Sequence, residues 1–368
     1  MSLTIVADDL TGACDTGSLF AGDGPVPLAV WPAAPSEARV RVLDTESRAI
    51  AVDDAVARVA RARAMAPAMR YFKKIDSTLR GHVAIELDAL MRSAGVATAL
   101  VCPAFPAQGR VVVERTLLVD GTPVAETVIG RDASFPAVGS SSVVDVLRAH
   151  VDRPLAWISL DHVRAGVYSL AARIGRLAGT VMVADAETDA DLDALAAGAL
   201  AGPPGLVLAG AAGLARALAA RLALLAKDVT VDPRGRWLVV AGSRHPATRV
   251  QIVAARAAGL RVLATPDESA RDPRALARRL AGEARDLLAR ESFDGVAVTG
   301  GETAIALWKA LGAEGLDLLG APRPGLALGR LRLPRRPALT LLTKAGGFGD
   351  PDLFVSLLVA NLARSRSA

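Results

Sequence analysis

Cysteine and histidine are nearly missing from this 368-residue chain, which has two of the first and four of the second. Cys14 and Cys102 belong to no CxxC pair and to no His/Cys group of metal-ligand spacing, which argues against a disulfide framework and a zinc site. Of His82, His150, His162 and His245, only His82 and His245 fall at polar helix starts where catalysis is open, and a plain loop or helix-start role explains either one. Long apolar runs are missing too. The longest uncharged stretch, Ala194 to Ala215, is broken by Gly202-Pro203-Pro204-Gly205, which would interrupt a spanning helix. The start, MSLTIVADDL, has no basic segment and reaches two aspartates early, so a cytoplasmic location without a signal peptide is expected. The basic excess, 43 against 38 acidic residues, is scattered and forms no stripe interleaved with aromatics, so no nucleic-acid or membrane partner is expected. Neither a GxxxxGK(S/T) loop nor a GxGxxG opening a βαβ unit occurs, so Walker-type and dinucleotide-binding chemistry lack support.

What remains is a globular composition, 52% hydrophobic and 22% charged, in a chain long enough for two cores. A net charge of +5 suits anionic small-molecule substrates without naming one. Short β-rich apolar runs alternate with Ala/Leu/Arg stretches of helical period, the pattern of βαβ units around mainly parallel sheets. The predicted strands are Leu3–Ala7, Leu28–Trp31, Val40–Leu43, Tyr71–Ile75, Thr98–Cys102, Leu155–Leu160, Val181–Ala184, Leu206–Ala209, Trp237–Ala241, Arg261–Ala264, Gly295–Val298 and Leu339–Leu342. Helical period is clearest in Asp53–Met65, Ile85–Ser93, Ser142–Ala149, Ala211–Ala226, Ala247–Ala258 and Pro273–Arg290. The polar Pro- and Gly-containing stretch Lys227–Arg236 follows a long helix and precedes a new strand. The expected class is therefore α/β with two domains, 1–230 and 231–368, mainly parallel sheets flanked by helices, and an active site in the cleft between domains.

Chemistry concentrates where predicted strands end. Asp8-Asp9-Leu10-Thr11-Gly12 follows the first strand, with Asp15 further on, and ligands of open α/β sheets bind at the carboxyl ends of strands. Adjacent aspartates there can accept hydrogen bonds from polyol hydroxyls, act as a base or hold magnesium. An N-cap with a favourable helix-dipole charge explains one of them, not all three. Lys73-Lys74-Ile75-Asp76-Ser77-Thr78-Leu79-Arg80 holds two of the chain's five lysines. There Lys74, Ser77 and Arg80 could bind a carboxylate, Arg80 through its bidentate fork, although a capped helix with solvated charges reads the same way. Cys102-Pro103 to Gly109-Arg110 is a weaker case, and a rigid turn accounts for it. The polar segment Thr122–Pro136 lines a cleft or simply connects elements.

In the second half three glycine turns follow strands: Gly242-Ser243-Arg244-His245 with Thr248, Thr299-Gly300-Gly301-Glu302-Thr303, and Lys344-Ala345-Gly346-Gly347-Phe348-Gly349. Glycine lets backbone approach a phosphate, and helix N-termini present unpaired N–H groups to it. Each turn alone is an ordinary tight turn. Three in one domain point to a nucleotide site.

The motifs ADDLTGA, KKIDSTLRG, DGTPVAET with DASFP, TGGETA and KAGGFGD, kept in order over nearly the whole chain, resemble the four-carbon acid sugar kinase family, whose members phosphorylate threonate, erythronate or 3-oxo-tetronate with ATP. The resemblance implies acid-sugar contacts from Asp8, Asp9, Thr11, Lys74, Ser77 and Arg80, with Asp76 in the same motif. It implies nucleotide contacts from Ser243, Gly300, Gly301, Glu302, Thr303 and Gly346, with Thr248, Gly347 and Gly349 beside them. Where the family usually has a GSCS-like turn this chain reads Gly242-Ser243-Arg244-His245, so a contact from the second serine is not carried over. The expected reaction is ATP- and Mg²⁺-dependent transfer to the terminal hydroxyl. Lys74 and Arg80 would neutralise the carboxylate, Asp8 or Asp9 would take the proton, and Glu302 is a candidate to assist the metal, whose ligands are otherwise unknown. Closure of the two domains would keep water out. A homodimer stays open. Two rival readings are a non-catalytic acid-sugar sensor and an acid-sugar oxidoreductase or isomerase.

Overall fold

The computed structural model describes residues 2–131, 138–265 and 272–359. Two compact units divide the chain, the first comprising Met1–Phe20 with Ala29–Leu225 and the second Ala21–Leu28 with Ala226–Ala368. In chain order the strands are β1 (Leu3–Ala7), β2 (Val26–Val30), β3 (Val40–Asp44), β4 (Arg70–Lys74), β5 (Thr98–Cys102), β6 (Arg110–Val113), β7 (Thr116–Val119), β8 (Thr122–Pro123), β9 (Leu155–Ile158), β10 (Val181–Ala184), β11 (Leu206–Gly210), β12 (Trp237–Ala241), β13 (Arg261–Ala264), β14 (Gly295–Thr299), β15 (Gly315–Gly320), β16 (Leu326–Arg332) and β17 (Leu339–Lys344).

The first unit is built on seven parallel strands in the order β3-β1-β4-β11-β5-β10-β9. β1 is buried along its whole length, as expected of a strand covered on both faces. The helix Val83–Ala94 ends at Gly95 in the left-handed region, and Asp189–Ala201 starts from a Thr188/Asp191 capping box, so local chemistry fixes both boundaries. A small antiparallel sheet, β6-β7-β8, is inserted after β5.

The second unit has four parallel strands, β13-β12-β14-β17, extended by antiparallel β16 and β15. Val26–Leu28 of β2 add to β15 as a further antiparallel strand, so eight residues from near the start of the chain belong to this unit. Its core gathers Trp237, Val239, Ile252, Leu328, Leu342 and Phe354. Fully burying side chains of this size stabilises by about 1.5–3 kcal/mol each.

The α/β class with largely parallel sheets is what the alternating pattern predicts. Five short strands, β6 to β8, β15 and β16, lie outside that prediction. The helix expected over Asp53–Met65 divides at Arg61 into Val52–Ala60 and Ala62–Met65, and that expected over Ala211–Ala226 ends at Arg221. Of the Thr122–Pro136 segment, Thr122–Pro123 forms β8 and Val124–Glu126 a 3₁₀ turn, while Asp132 to Pro136 lie outside the described residues.

Candidate functional site

Parallel pairing brings the polar motifs of the first unit to one sheet end. β1 is in register with β3 through Ala7 and Asp44 and with β4 through Val6 and Lys73, so Asp8-Asp9, Asp44–Arg48 and Lys74–Arg80 leave adjacent strands at the same end. Asp9 caps the helix Leu10–Ser18: its Oδ1 accepts from Gly12 N at 3.2 Å, and Thr11 Oγ1 donates to its Oδ2 at 2.6 Å. Arg48, which the motif reading does not single out, ties the cluster together. Its Nε and Nη2 donate to the two oxygens of Asp8 at 2.8 Å each, Nη2 also donates to Asp9 Oδ1 at 2.6 Å, and Nη1 is 3.7 Å from Asp76 Oδ2. Its only signal in the sequence is a position just past the end of β3.

Arg80 forms a bidentate pair with Asp76, Nε to Oδ1 at 3.1 Å and Nη2 to Oδ2 at 2.8 Å, and the Thr78 N–H and hydroxyl also donate to Asp76 Oδ1. Ser77 is half-buried in the same turn. Lys74, almost buried, donates from Nζ to Ile75 O at 2.8 Å. Its neighbour Lys73 points elsewhere and forms a fully buried ion pair with Glu86 at 2.8 Å.

The electrostatics divide the acids. Burial would push the Asp8 carboxyl up, but Arg48, Lys73 and Lys74 together hold it below its ordinary value. Asp76 lies well below, where Arg80 and Arg48 outweigh burial. Burial instead pushes Asp15 up to about 6, with Asp9 adding to it and Lys74 opposing. Burial and Glu46 push Asp44 well above its ordinary value, and its Oδ2 has no hydrogen-bond partner among the described residues.

In the second unit β12, β14 and β17 are neighbours, with Ala241 opposite Thr299 and Thr299 opposite Lys344. The three glycine turns therefore leave one sheet end side by side. Gly242 N and Ser243 N both donate to Thr299 O, at 3.0 and 3.2 Å. A Cβ on Gly242 would collide with Thr303 Oγ1, and Gly300, at φ +100°, would press one to 2.9 Å from Ser243 N. Thr248 Oγ1 donates to Gly346 O at 2.7 Å, and Gln251 Nε2 reaches the carbonyls of Phe348, Gly349 and Asp350 at 2.8–3.0 Å. Buried Lys344 donates to Ala345 O at 3.0 Å and Gly346 O at 2.8 Å, and burial lowers its pKa to about 8. Gly301 begins the helix Gly301–Leu311, whose N-cap, Gly300, offers no side chain to the free N–H groups. Glu302 is exposed, 3.6 Å from Arg274 Nε. Gly347 lies beside His245, and Gly349 adopts φ +86°. Among the described residues no group of three His, Cys, Asp or Glu side chains is arranged to hold a metal ion.

Residues 3–218 match the model of a sugar-binding N-terminal domain, and residues 258–354 that of a nucleotide-binding C-terminal domain. The chain belongs to the four-carbon acid sugar kinase family. Within this family, a D-threonate kinase of Salmonella typhimurium is 30% identical over 97% of this chain and 98% of its own length. A 3-oxo-tetronate kinase of Methylobacterium radiotolerans is 32% identical over 96% and 98%. A solved Salmonella typhimurium structure, described as a putative tRNA synthase, aligns with a TM-score of 0.79 at 21% identity over 96% of this chain and 98% of its own, a likeness of fold alone. A Bordetella bronchiseptica structure, described as a domain of unknown function and a domain-swapped dimer with bound citrate, is 32% identical over 96% and 97%, with a TM-score of 0.52. No helix among the described residues is long and apolar enough to cross a membrane.

Proposed function

We propose that this family member is an ATP-dependent kinase that phosphorylates the terminal hydroxyl of a four-carbon acid sugar of the threonate, erythronate or 3-oxo-tetronate type. The observation that carries the reading is the pair of strand-end clusters: carboxylates and guanidinium groups in the sugar-binding unit, bare glycine backbone in the nucleotide-binding unit. Relatives named D-threonate, D-erythronate and 3-oxo-tetronate kinases support the substrate class.

Phosphoryl transfer depends mainly on positioning and charge stabilisation. In the first unit Asp9 is the better placed proton acceptor. Both Asp8 oxygens are held by Arg48, whereas Asp9 receives Arg48 through one oxygen and the movable Thr11 hydroxyl through the other. A sugar hydroxyl replacing that of Thr11 would present its proton to Asp9 Oδ2. Lys74 and Ser77 complete this end of the acceptor site.

In the second unit the fit to a triphosphate rests on the missing side chains. At Gly242 and Gly300 a Cβ would strike Thr303 and Ser243, so these turns pack closely, and the helix Gly301–Leu311 opens there with no side-chain cap on its first N–H groups, an arrangement suited to phosphate oxygens. Ser243, Thr248, Thr303 and Gly346–Gly349 would hold the phosphates. Mg²⁺ would neutralise charge on the phosphoryl oxygens, with Glu302 the acidic side chain that these turns offer.

The test is ADP release from purified protein with ATP, Mg²⁺ and each of D-threonate, L-threonate, D-erythronate, L-erythronate and 3-oxo-tetronates. At least one acid is expected to raise ADP release well above the ATP-only rate. A flat response across the set would refute the kinase reading.

A further inference from the structure

Apart from Lys73, which is paired with Glu86, four cations lie near the carboxylate cluster of the first unit, and three of them already have partners there. Arg48 is held by Asp8 and Asp9, and Arg80 by Asp76. Lys74 donates to a backbone carbonyl and lies beside Asp9, since a Cβ on Gly12 would approach both Lys74 Nζ and Asp9 Oδ1. Arg110 differs. Among the described residues its Nη1 reaches only the carbonyl and side-chain oxygens of Gln108, it makes no ion pair, and its buried Nε meets no acceptor.

The backbone that presents Arg110 is clamped. Phe105 N donates to Arg110 O at 2.8 Å and Arg110 N to Phe105 O at 3.2 Å, while Asp120 N donates to Gly109 O at 2.8 Å. Gly210 of β11 is in register with both Lys74 of β4 and Cys102 of β5, so the Arg110 turn leaves the sheet about 10 Å from the Lys74 turn, two strand spacings away. Burial lowers the pKa of Arg110 and Asp120, beside the same turn, raises it, while Asp76 and Arg80 of the cluster act on it more weakly in opposite senses. The side chain still carries its charge at neutral pH.

We propose that Arg110 receives the carboxylate of the acid sugar and so selects acids over neutral polyols, an inference that rests on the kinase reading above. A buried guanidinium N–H is costly to leave unpaired, a state that the Nε of Arg110 shares with those of Arg41 and Arg173. A carboxylate lying across Nε and a terminal nitrogen would satisfy it in the bidentate geometry this fork favours. β4 and β11 separate β5 from β1, so an acid held at Arg110 would extend its far hydroxyl toward the Asp9 side. This divides the labour differently from a carboxylate held by Lys74 and Arg80, because Arg80 is committed to Asp76.

The experiment compares wild type, Arg110→Lys and Arg110→Ala in the ADP-release assay, using the best acid from the screen and its neutral primary amide. Arg110→Ala should lower kcat/KM for the acid about 100-fold, chiefly through KM, leave KM for ATP unchanged and abolish the preference for acid over amide. Arg110→Lys should recover only part of that preference, since a point charge replaces a fork. Variants that melt like wild type and keep its acid preference would overturn the inference, as would a loss appearing in KM for ATP. If wild type releases no ADP with any acid, the kinase reading fails by itself. Calorimetric binding of the acids to wild type and Arg110→Ala then judges Arg110, with equal affinities overturning its role.

Discussion

Arg48 is the residue on which the charge balance of the first unit depends, and Arg48→Met tests this with little change in side-chain volume. In the native protein the guanidinium is 11% exposed and its partners Asp8, Asp9 and Asp76 are 3%, 15% and 9% exposed. Breaking a buried pair by removing one member costs about 3–5 kcal/mol, because the remaining charge is stranded. Asp76 retains Arg80, so the penalty falls on Asp8 and Asp9, and a loss of about 3 kcal/mol at pH 7 is expected. The sign of the pH dependence follows from Asp8. Its native pKa is depressed, so its contribution is present above the unfolded value of about 3.9 and is lost as pH falls through the native value. Without Arg48, burial dominates and the carboxyl takes up a proton at higher pH, which relieves the penalty. Urea unfolding should therefore show the deficit of Arg48→Met shrinking by about half between pH 7 and pH 5. The double variant Arg48→Met/Asp8→Asn should recover about 1–2 kcal/mol at pH 7, since no charge is then stranded on Asp8. A loss below about 1 kcal/mol at pH 7, or one that does not diminish on acidification, would refute the reasoning.

Two further outcomes follow from the same geometry. Asp15 is raised to about 6, so ionising it costs stability: wild type should lose stability as pH rises from about 4 to about 6, and Asp15→Asn should flatten that segment and gain about 1–3 kcal/mol at pH 7 in pH-resolved urea melts. An unchanged slope would count against it. Gly242→Ala drives a methyl group into Thr303 Oγ1 and should displace the Gly300–Thr303 turn, weakening ADP binding at least 10-fold by calorimetry while acid-sugar binding stays at the wild-type level. Wild-type ADP affinity in this variant would remove the glycine turns from the nucleotide site.

How far each feature could be read from the chain depends on how local its cause is. The strands buried on both faces, such as LTIVA and WLVVA, announce themselves because parallel sheets covered by helices need continuous apolar runs. β15 and β16 carry Asp317, Arg330 and Arg332 and several glycines, so their composition resembles a loop, and only antiparallel pairing with β17 and β2 makes them strands. The segment Ala21–Leu28 looks like part of its flanking sequence, yet it is counted with the second unit, a choice made by pairing with residues nearly 300 positions away. Arg48 belongs to no motif and gains meaning only when β3 places it beside Asp8.

By itself the sequence determined the α/β class, the strand-end placement of the acidic and glycine-rich motifs and the kind of chemistry they suit, because apolar periodicity and turn residues act over a few positions. Only the tertiary structure decided which distant charges neutralise one another: Asp8 and Asp9 meet Arg48, while Arg110 has no carboxylate at ion-pair distance among the described residues. Such pairings are set by strand order and register, which bring together residues tens of positions apart, and electrostatic attraction depends on that distance and on burial rather than on separation along the chain.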